Sequence, residues 1–348
     1  MTPEDPADPA LDERAAGRGT PVSLGEAAGV LEALVLGETP SLTRLDVNRL
    51  SGVPQLDSER LWGLLGFAQV PDDEVAFTSA DVDALRLARE LVALGILTPE
   101  RQDALVRTWG RSFARLAEWQ TSLLATVAIE TAAADPGASA AGYPVLVEEV
   151  LPRVEALQAY VWRRHLASAA GRLLEDDPTS PTVRAAVGFV DIVGYTARST
   201  SLEETELVEW LEGFEATVTA AVVAAGGRVI KNIGDEVLFV SDDVHAAARV
   251  LLDLTRRAAD PDDTFPDVRA GLAWGEVVAR LGDVFGPTVN LAARLTSGAR
   301  PHTVLVDAGA RTALEADPDL RLRRVRGFAA KGYGHLGAWR LRRADDPD

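Results

Sequence analysis

The stretch Arg184–Thr196, RAAVGFVDIVGYT, decides the fold of the C-terminal half of the chain. Ala185–Ile192 is apolar apart from Asp191, which is typical of a buried strand. A carboxylate at the end of such a strand is costly unless it is paired or bound to a cation. The turn Gly194-Tyr195-Thr196 follows and precedes a predicted helix, so its backbone N–H groups are suited to cradle phosphates. The stretch therefore predicts a buried strand that ends at a candidate binding site.

A second carboxylate lies at the tip of a predicted hairpin. Arg228–Asn232 and Glu236–Val240 flank Gly234-Asp235 and have the pattern of two strands joined by a tight turn. If this hairpin neighbours the buried strand, Asp191 and Asp235 converge, and a carboxylate pair suits Mg²⁺ or Mn²⁺. The alternative is that Asp191 caps the next helix and Asp235 is a turn residue.

A third group of polar residues is predicted on a helix that starts near Thr288. The segment Gly282–Arg294 reads GDVFGPTVNLAAR. Asn290 and Arg294 are four residues apart, so they share one face of the helix. An amide and a guanidinium on one face are able to hold a ribose and a phosphate. The alternative is an ordinary exposed polar face.

The order of the elements around these segments predicts the fold class. Strand, helix, hairpin, helix and strand follow one another, which is typical of a ferredoxin-like α+β sandwich. The further predicted elements are helices at Leu202–Ala225, Val244–Ala258 and Val289–Thr296, and strands at Val268–Trp274, Thr303–Val306, Leu320–Val325 and Gly337–Leu341.

The N-terminal half has a different pattern and predicts a separate all-α domain over residues 21–174. Residues 1–20 are rich in Pro, Ala and acids and are predicted to be a disordered tail. Residues 175–182, EDDPTSPT, have the composition of a linker. The second domain then spans residues 183–343. Within the first domain, helices are predicted at Thr43–Leu50, Asp57–Leu65, Val82–Leu94, Pro99–Ile129 and Val145–Leu174.

Composition excludes several classes of function. The 348 residues include no cysteine, which rules out disulfides, thiolate metal sites and cysteine nucleophiles. The formal charge of −18 argues against a nucleic-acid partner. The sequence contains no apolar run of the ~18–20 residues that span a membrane, and it predicts a cytoplasmic protein. An anionic substrate would need local help from metal ions or from clustered Arg and Lys.

Three blocks, FVDIVGYT, IKNIGDEVLF and GDVFGPTVNLAARL, together resemble the signature of class III nucleotide cyclases. They occur in the order of that family, and the resemblance covers about Arg184–Arg342. It implies a ferredoxin-like cyclase catalytic domain and the conversion of ATP to 3′,5′-cyclic AMP and pyrophosphate. In this family the active sites are shared between the two subunits of a homodimer.

The resemblance also implies which residues bind the metal ions and the phosphates. Asp191 and Asp235 would bind two Mg²⁺ or Mn²⁺ ions per active site, with the carbonyl oxygen of Ile192 as a further ligand. Substrate contacts would come from Gly194, Tyr195 and Thr196 in the turn, and from Lys331 at the terminal phosphates. Some family members carry an arginine where this chain has Glu276, and nearby Arg280 is a candidate replacement.

The resemblance assigns the base and the ribose to the remaining matched residues. Lys231 would donate to a ring nitrogen of adenine, and Asp283 would accept from the 6-amino group. Guanylate cyclases of the family usually carry a different pair there, so ATP is favoured over GTP. Asn290 would orient the ribose, and Arg294 would stabilise charge on the α-phosphate in the transition state.

The N-terminal domain resembles the regulatory domain of soluble actinobacterial adenylate cyclases, in the segments VNRLSGVPQLDSERLWGLLGF, DEVAFTSADVDALR and RSFARLAEWQ. This resemblance implies autoinhibition that acidification relieves. Of the four histidines, His165 lies close to the linker and is a candidate pH sensor, the alternative being an exposed histidine beside two arginines. The rival functions are a degenerate nucleotide-binding signalling module, a guanylate cyclase, and a DNA-binding regulator suggested by the helix–turn–helix pattern of Thr43–Leu65.

Overall fold

A computed structural model describes residues 29, 32–33, 35–95, 98–134, 149–175, 182–280, 282–326, 329–330, 334–335 and 337–346. The predicted tail 1–20, most of the predicted linker and the candidate phosphate-binding Lys331 lie outside these residues. The chain divides into two compact units, Met1–Ser168 and Ala169–Asp348. No described helix combines the length and the apolar character that a membrane span requires.

The N-terminal unit is helical, as the sequence predicts. Thr43 and Thr78 each begin a helix with a capping box, in which the Thr and an Asp three residues on satisfy backbone N–H groups reciprocally. The buried residues of its core are Val47, Val53, Leu61, Trp62, Val82, Leu85 and Val106. Its helices are α1 (Arg44–Ser51), α2 (Gln55–Leu65), α3 (Ser79–Ala93) and α4 (Pro99–Ala134), followed by α5 (Leu151–Glu175).

The second unit is built on a mixed β-sheet. Its strands are β1 (Val183–Ile192), β2 (Arg228–Ile233), β3 (Glu236–Ser241), β4 (Val268–Arg280), β5 (Asp283–Phe285), β6 (Val304–Val306), β7 (Leu320–Val325), β8 (Ala329–Ala330), β9 (Gly334–His335) and β10 (Ala338–Arg343). Its helices are α6 (Tyr195–Ser199), α7 (Glu204–Ala224), α8 (Val244–Ala258), α9 (Pro287–Gly298) and α10 (Ala308–Leu314).

The sheet has the strand order β2-β3-β1-β4-β6-β10-β7. Its first four strands pair antiparallel, with β1 between β3 and β4. This is the ferredoxin-like arrangement that the element order predicts. The strand β6 then adds parallel to β4, and β10 and β7 complete the sheet antiparallel.

The two faces of the sheet bury separate hydrophobic clusters. Alternate residues of β1 point to opposite faces, as in any strand. Ala186, Val190 and Ile192 pack in the cluster that includes residues of α7, α8 and α10. Ala185, Val187 and Phe189 pack in the cluster that includes residues of α9. The helix α9 therefore covers one face of the sheet, and the other helices cover the opposite face.

The structure differs from the predicted elements at β4 and β5, at two short helices, and at the short paired strands β8 and β9, which the sequence did not predict. The strand β4 continues past Trp274 to Arg280 and forms a hairpin with β5, which the sequence did not predict. The short helix α6 precedes α7. The helix α10 was also missed, because its seven residues give too short a periodic pattern.

Candidate active site

The end of β1 brings two acidic residues together. Asp191 stands opposite Glu236 of β3 on one side and Arg269 of β4 on the other. Residues opposite each other in a sheet share a face, so these three side chains lie on the same face. The backbone N–H of Ile192 donates to the carbonyl oxygen of Asp235 at 3.1 Å, which places the hairpin tip beside the strand end.

Burial and the positive charge of Arg269 act in opposite directions on the pKa of Asp191 at this strand end. Asp191 is only 8% exposed, and burial raises the pKa of its carboxyl group. Arg269 counters this shift by donating from Nε to Oδ2 of Asp191 at 2.6 Å, whereas Asp235 adds to it. Burial, and then the charges of Asp191 and Asp235, raise the pKa of Glu236 to about 7.

These residues fit a divalent cation. Carboxylate oxygens are the ligands that Mg²⁺ and Mn²⁺ prefer, and Mg²⁺ is commonly held by one or two carboxylates with substrate phosphates and water completing its shell. Asp191 and Asp235, with the carbonyl of Ile192, supply such a partial shell. In the part of the chain that the structure describes, no three His, Asp or Glu side chains form a complete protein cage for a metal ion.

The turn after β1 uses its glycine for backbone geometry. Gly194 has φ 74°, in the left-handed region that favours glycine, and it precedes the five residues of α6. The ring of Tyr195 stacks on Trp210 with ring centroids 6.3 Å apart, so this side chain packs on the core rather than facing a ligand. Thr196 is exposed.

The structure pairs Lys231 of β2 with Asp283 of β5. Lys231 Nζ lies 2.5 Å from Oδ2 of Asp283, and the two side chains are 41% and 27% exposed. The other oxygen of Asp283 accepts from the backbone N–H of Val284 at 2.8 Å. The hairpin of β4 and β5 thus brings an amine donor and a carboxylate acceptor, 52 residues apart in the chain, into one partly exposed pair.

The helix α9 presents Asn290 and Arg294 to solvent. Pro287 occupies the first turn, where its missing N–H costs nothing. Ala292, Leu295 and Thr296 are buried on the inner side of the helix, and Asn290 and Arg294 are exposed on the outer side, one turn apart.

Glu276 and Arg280 lie along the second half of β4, and both side chains are exposed. The carbonyl oxygen of Glu276 accepts from the hydroxyl of Thr288 at 2.6 Å, which ties β4 to α9. Arg280 stands opposite Asp283 in the hairpin. Because Arg280 is the cross-strand partner of Asp283, it lies closer to the Lys231–Asp283 pair along the hairpin than Glu276 does.

Sequence reasoning missed two residues at the strand end. Arg269 also donates to the carbonyl oxygen of Ser297 at 3.1 Å, so it joins Asp191 to the last turn of α9. Glu236 follows Asp235 directly, and its position opposite Asp191 becomes visible only with the strand register. The available signal for Arg269 was a charged side chain near one terminus of a predicted apolar strand; Asp191 was identified by a charged side chain at the other terminus of such a strand.

Known proteins share sequence similarity with most of this chain. Residues 178–342 match the family described as the adenylate and guanylate cyclase catalytic domain. An adenylate cyclase of Streptomyces coelicolor is 42% identical over 279 residues, 80% of this chain and 72% of the relative. An adenylate cyclase of Glutamicibacter nicotianae is 36% identical over 338 residues, 92% of this chain and 84% of the relative.

A third relative extends the comparison to a regulated enzyme. A pH-sensitive adenylate cyclase of Mycobacterium tuberculosis is 33% identical over 273 residues, 75% of this chain and 67% of the relative. These matches run well beyond the catalytic domain into the N-terminal helical unit, since that domain alone covers residues 178–342. The chain therefore belongs to the class III nucleotide cyclases, the family of adenylate and guanylate cyclases.

Proposed function

We propose that this cyclase is an adenylate cyclase, which converts ATP to 3′,5′-cyclic AMP and pyrophosphate. The observation that carries the proposal is the convergence of Asp191 and Asp235 at the end of a buried strand. The names of the relatives support the choice of ATP. The direct test is incubation with ATP or GTP and Mn²⁺, with the cyclic nucleotide quantified. Formation of cyclic GMP alone would refute it, and nucleotide binding without product would favour the degenerate module.

Asp191, Asp235 and the Ile192 carbonyl would hold two Mg²⁺ or Mn²⁺ ions. When bound, these ions lower the pKa of the ribose 3′-hydroxyl and balance the charge of the triphosphate. The ribose 3′-hydroxyl gives up its proton to water and its oxygen attacks the α-phosphorus as the bond to the bridging oxygen breaks, and pyrophosphate leaves. Arg294 stabilises the charge that develops on the α-phosphate, a contribution of about 3 kcal/mol for one such donor. Asn290 orients the ribose, and the backbone of Gly194, Tyr195 and Thr196, with Lys331, holds phosphates.

The Lys231–Asp283 pair explains a preference for adenine. The ammonium group is a donor and suits a ring nitrogen, and the carboxylate is an acceptor and suits the 6-amino group. Guanine presents an oxygen at that position, which would face the carboxylate and leave an acceptor unpaired. The 2.5 Å contact between Nζ and Oδ2 holds both groups in one place before the base arrives.

A homodimer with shared active sites follows from the family mechanism. We place the metal-binding aspartates of one subunit opposite Arg294 of the partner subunit. Asp191→Ala and Arg294→Ala are then each inactive alone, and mixing them partly restores activity, because one of the two sites in the heterodimer is intact. The matched control mixes Asp191→Ala with Asp235→Ala, which damages the same half of the site. No recovery in the first mixture, or equal recovery in both, would refute the shared site.

The helical domain of residues 21–174 is proposed to inhibit the catalytic domain of residues 183–343, with acid relieving the block. The support is the pH-sensitive relative, which matches three quarters of the chain. His165 is exposed on α5 and stays the candidate sensor. We expect higher activity at pH ~6 than at pH ~8, and loss of that advantage in a chain that begins near Pro181. An unchanged pH profile after truncation would refute the proposal.

The cytoplasmic location remains a prediction from the sequence.

A further inference from the structure

Arg269 uses all three nitrogens of its guanidinium group. Its Nε donates to Oδ2 of Asp191 at 2.6 Å, and its Nη2 lies 2.6 Å from the same oxygen. Its Nη1 donates to the carbonyl oxygen of Ser297 at 3.1 Å. A guanidinium group is planar and holds its donors in a fixed fork, so contacts on two sides of it set the spacing of the groups that it joins. Arg269 is therefore a rigid connection between Asp191 and Ser297.

The two contacts of Arg269 belong to elements that carry proposed active-site residues. Asp191 lies near the end of β1 and is the cross-strand partner of Arg269 in the pairing of β1 with β4. Ser297 lies in the last turn of α9, the helix that carries Asn290 and Arg294. The connection thus reaches from a proposed metal ligand to the helix of the proposed transition-state residue.

Close packing of α9 on β4 makes this connection possible. Gly271 lies two residues from Arg269 on β4, so the Cβ positions of both point to the same face of the sheet. A Cβ at Gly271 would lie 2.6 Å from the carbonyl oxygen of Ala292, which shows how near α9 lies to the strand on that face. The Arg269 side chain is 34% exposed. Its charge is therefore partly shielded from water and from screening by salt.

The alternative is a pair of contacts that only stabilises the fold. A buried carboxylate such as that of Asp191 needs a partner, and a cation near the last carbonyl groups of a helix is favourable. Two separate side chains would meet these needs equally well, whereas one fork ties the two groups to one spacing. The two interpretations differ in what a lysine at this position achieves, because an ammonium group supplies the charge without the fork.

We propose that Arg269 is a positioning residue for the cyclase reaction, which holds the Asp191 carboxylate in its metal-binding orientation and holds α9 at the spacing that Arg294 requires. The inference rests on the proposed function, in which Asp191 and Arg294 of one subunit serve two different active sites. Loss of the Arg269 fork then damages both sites to which that subunit contributes. Side chains that orient metal ligands in this way strongly affect metal affinity and activity.

The first measurement is the Mn²⁺ affinity of the full chain without nucleotide, from the electron paramagnetic resonance signal of the free ion. Arg269→Gln should weaken binding about tenfold or more, the usual effect of losing a side chain that orients a metal ligand. Arg300→Gln is the matched control, because Arg300 is exposed two residues beyond α9 and loses the same charge. It should change the affinity less than about twofold. Unchanged or tighter binding by Arg269→Gln would show that the guanidinium does not orient Asp191, and would overturn the proposal.

The second measurement is the activity of mixed subunits with ATP and Mn²⁺. Arg269→Gln should regain activity with neither Asp191→Ala nor Arg294→Ala, because it damages the metal-binding half and the α9 half of the same subunit. Arg269→Lys keeps a charge beside Asp191 but cannot contact Ser297 at the same time, so only its α9 half is damaged. It should bind Mn²⁺ within about threefold of the unmodified chain. It should also regain activity when mixed with Asp191→Ala and not when mixed with Arg294→Ala.

The mixtures separate this proposal from the shared active site on which it rests. Recovery of Arg269→Gln with either partner would show that Arg269 serves only one half of the site, and equal recovery of Arg269→Lys with both partners, or with neither, would show that the fork sets no spacing. Each result overturns the proposal. If Asp191→Ala mixed with Arg294→Ala stays inactive, the shared site fails, and the Mn²⁺ titration alone decides whether Arg269 orients Asp191. Thermal unfolding shows that the compared chains are folded, and Arg269→Lys still tests the fork if Arg269→Gln unfolds.

Discussion

Replacing Gly271 by alanine tests how closely α9, which carries the proposed catalytic residues Asn290 and Arg294, must pack on the sheet. A Cβ at Gly271 would lie 2.5 Å from the N and Oγ1 atoms of Thr296 and 2.6 Å from the carbonyl oxygen of Ala292. Nonbonded heavy atoms rest about 3.5 Å apart or more. Because the obstructing atoms include the backbone of α9, the helix must retreat by about 1 Å. This overpacking should lower the free energy of unfolding by about 1–3 kcal/mol.

The same displacement moves Asn290 and Arg294, which α9 carries. A misplacement of about 1 Å is able to reduce turnover about 100-fold. We therefore expect kcat with ATP and Mn²⁺ to fall by one to two orders of magnitude, while Mn²⁺ affinity, measured by electron paramagnetic resonance, changes little. The proposed metal-binding aspartates lie on β1 and in the β2–β3 hairpin, whereas the atoms nearest the added Cβ belong to α9.

Gly213→Ala is the matched control for this prediction. Gly213 lies within α7, and a Cβ there would meet no atom within 4 Å. The same chemical change should therefore stabilise the protein by about 0.5–1 kcal/mol, because alanine favours a helix. Urea unfolding measures both variants. If Gly271→Ala keeps the stability and the kcat of the unmodified chain, the close contact between β4 and α9 does not position the proposed catalytic residues.

Two further predictions concern carboxylates. Without metal ions, stability should fall as pH rises from about 4.5 to about 7, because folded Glu236 holds its proton up to pH ~7 while the unfolded chain has released it. One pKa unit is worth about 1.4 kcal/mol, and the pKa of Glu236 is raised from 4.5 to about 7, so Glu236→Gln should remove at most about 3.5 kcal/mol of this loss of stability in urea unfolding with EDTA. An unchanged pH dependence contradicts the assignment. Asp307 caps α10 by accepting from Gly309 and Ala310 and also accepts from Trp274, so Asp307→Ala should cost about 1–3 kcal/mol and Asp307→Asn less. Equal losses for both variants would show that the hydrogen bonds do not account for the effect.

The sequence was sufficient to predict the structure where the pattern of one short segment carries the whole signal. The apolar run of β1 predicted a buried strand, and eight of its ten residues are buried. Gly234-Asp235 between two strand-like segments predicted the hairpin of β2 and β3. The spacing of Asn290 and Arg294 predicted one shared face on α9, and both are exposed there.

The sequence was insufficient where the outcome depends on pairing between distant segments. The bond between Arg269 and Asp191 joins residues 78 positions apart and requires the register of β1 against β4. The continuation of β4 to Arg280 was missed because Gly275 has the pattern of a strand end. In the fold, that glycine lies against Thr288 of α9, whose Oγ1 would stand 2.8 Å from an added Cβ. Close approach of a helix, rather than a turn, explains this glycine.

Charge at the end of β1 links the proposed metal dependence to the proposed pH dependence. Asp191, Asp235 and Glu236 face one another with the single guanidinium of Arg269 among their described partners. Excess negative charge in a buried place is relieved either by protons or by cations. The two compete, so acidification should weaken metal binding and lower activity within the catalytic domain itself. This slope is opposite in sign to the activation by acid proposed for the N-terminal domain. Removing the N-terminal domain should therefore do more than flatten the dependence of activity on pH, because the shorter chain should lose activity below pH ~7. The regulatory effect of the N-terminal domain is then the difference between the pH profiles of the full chain and the shorter chain.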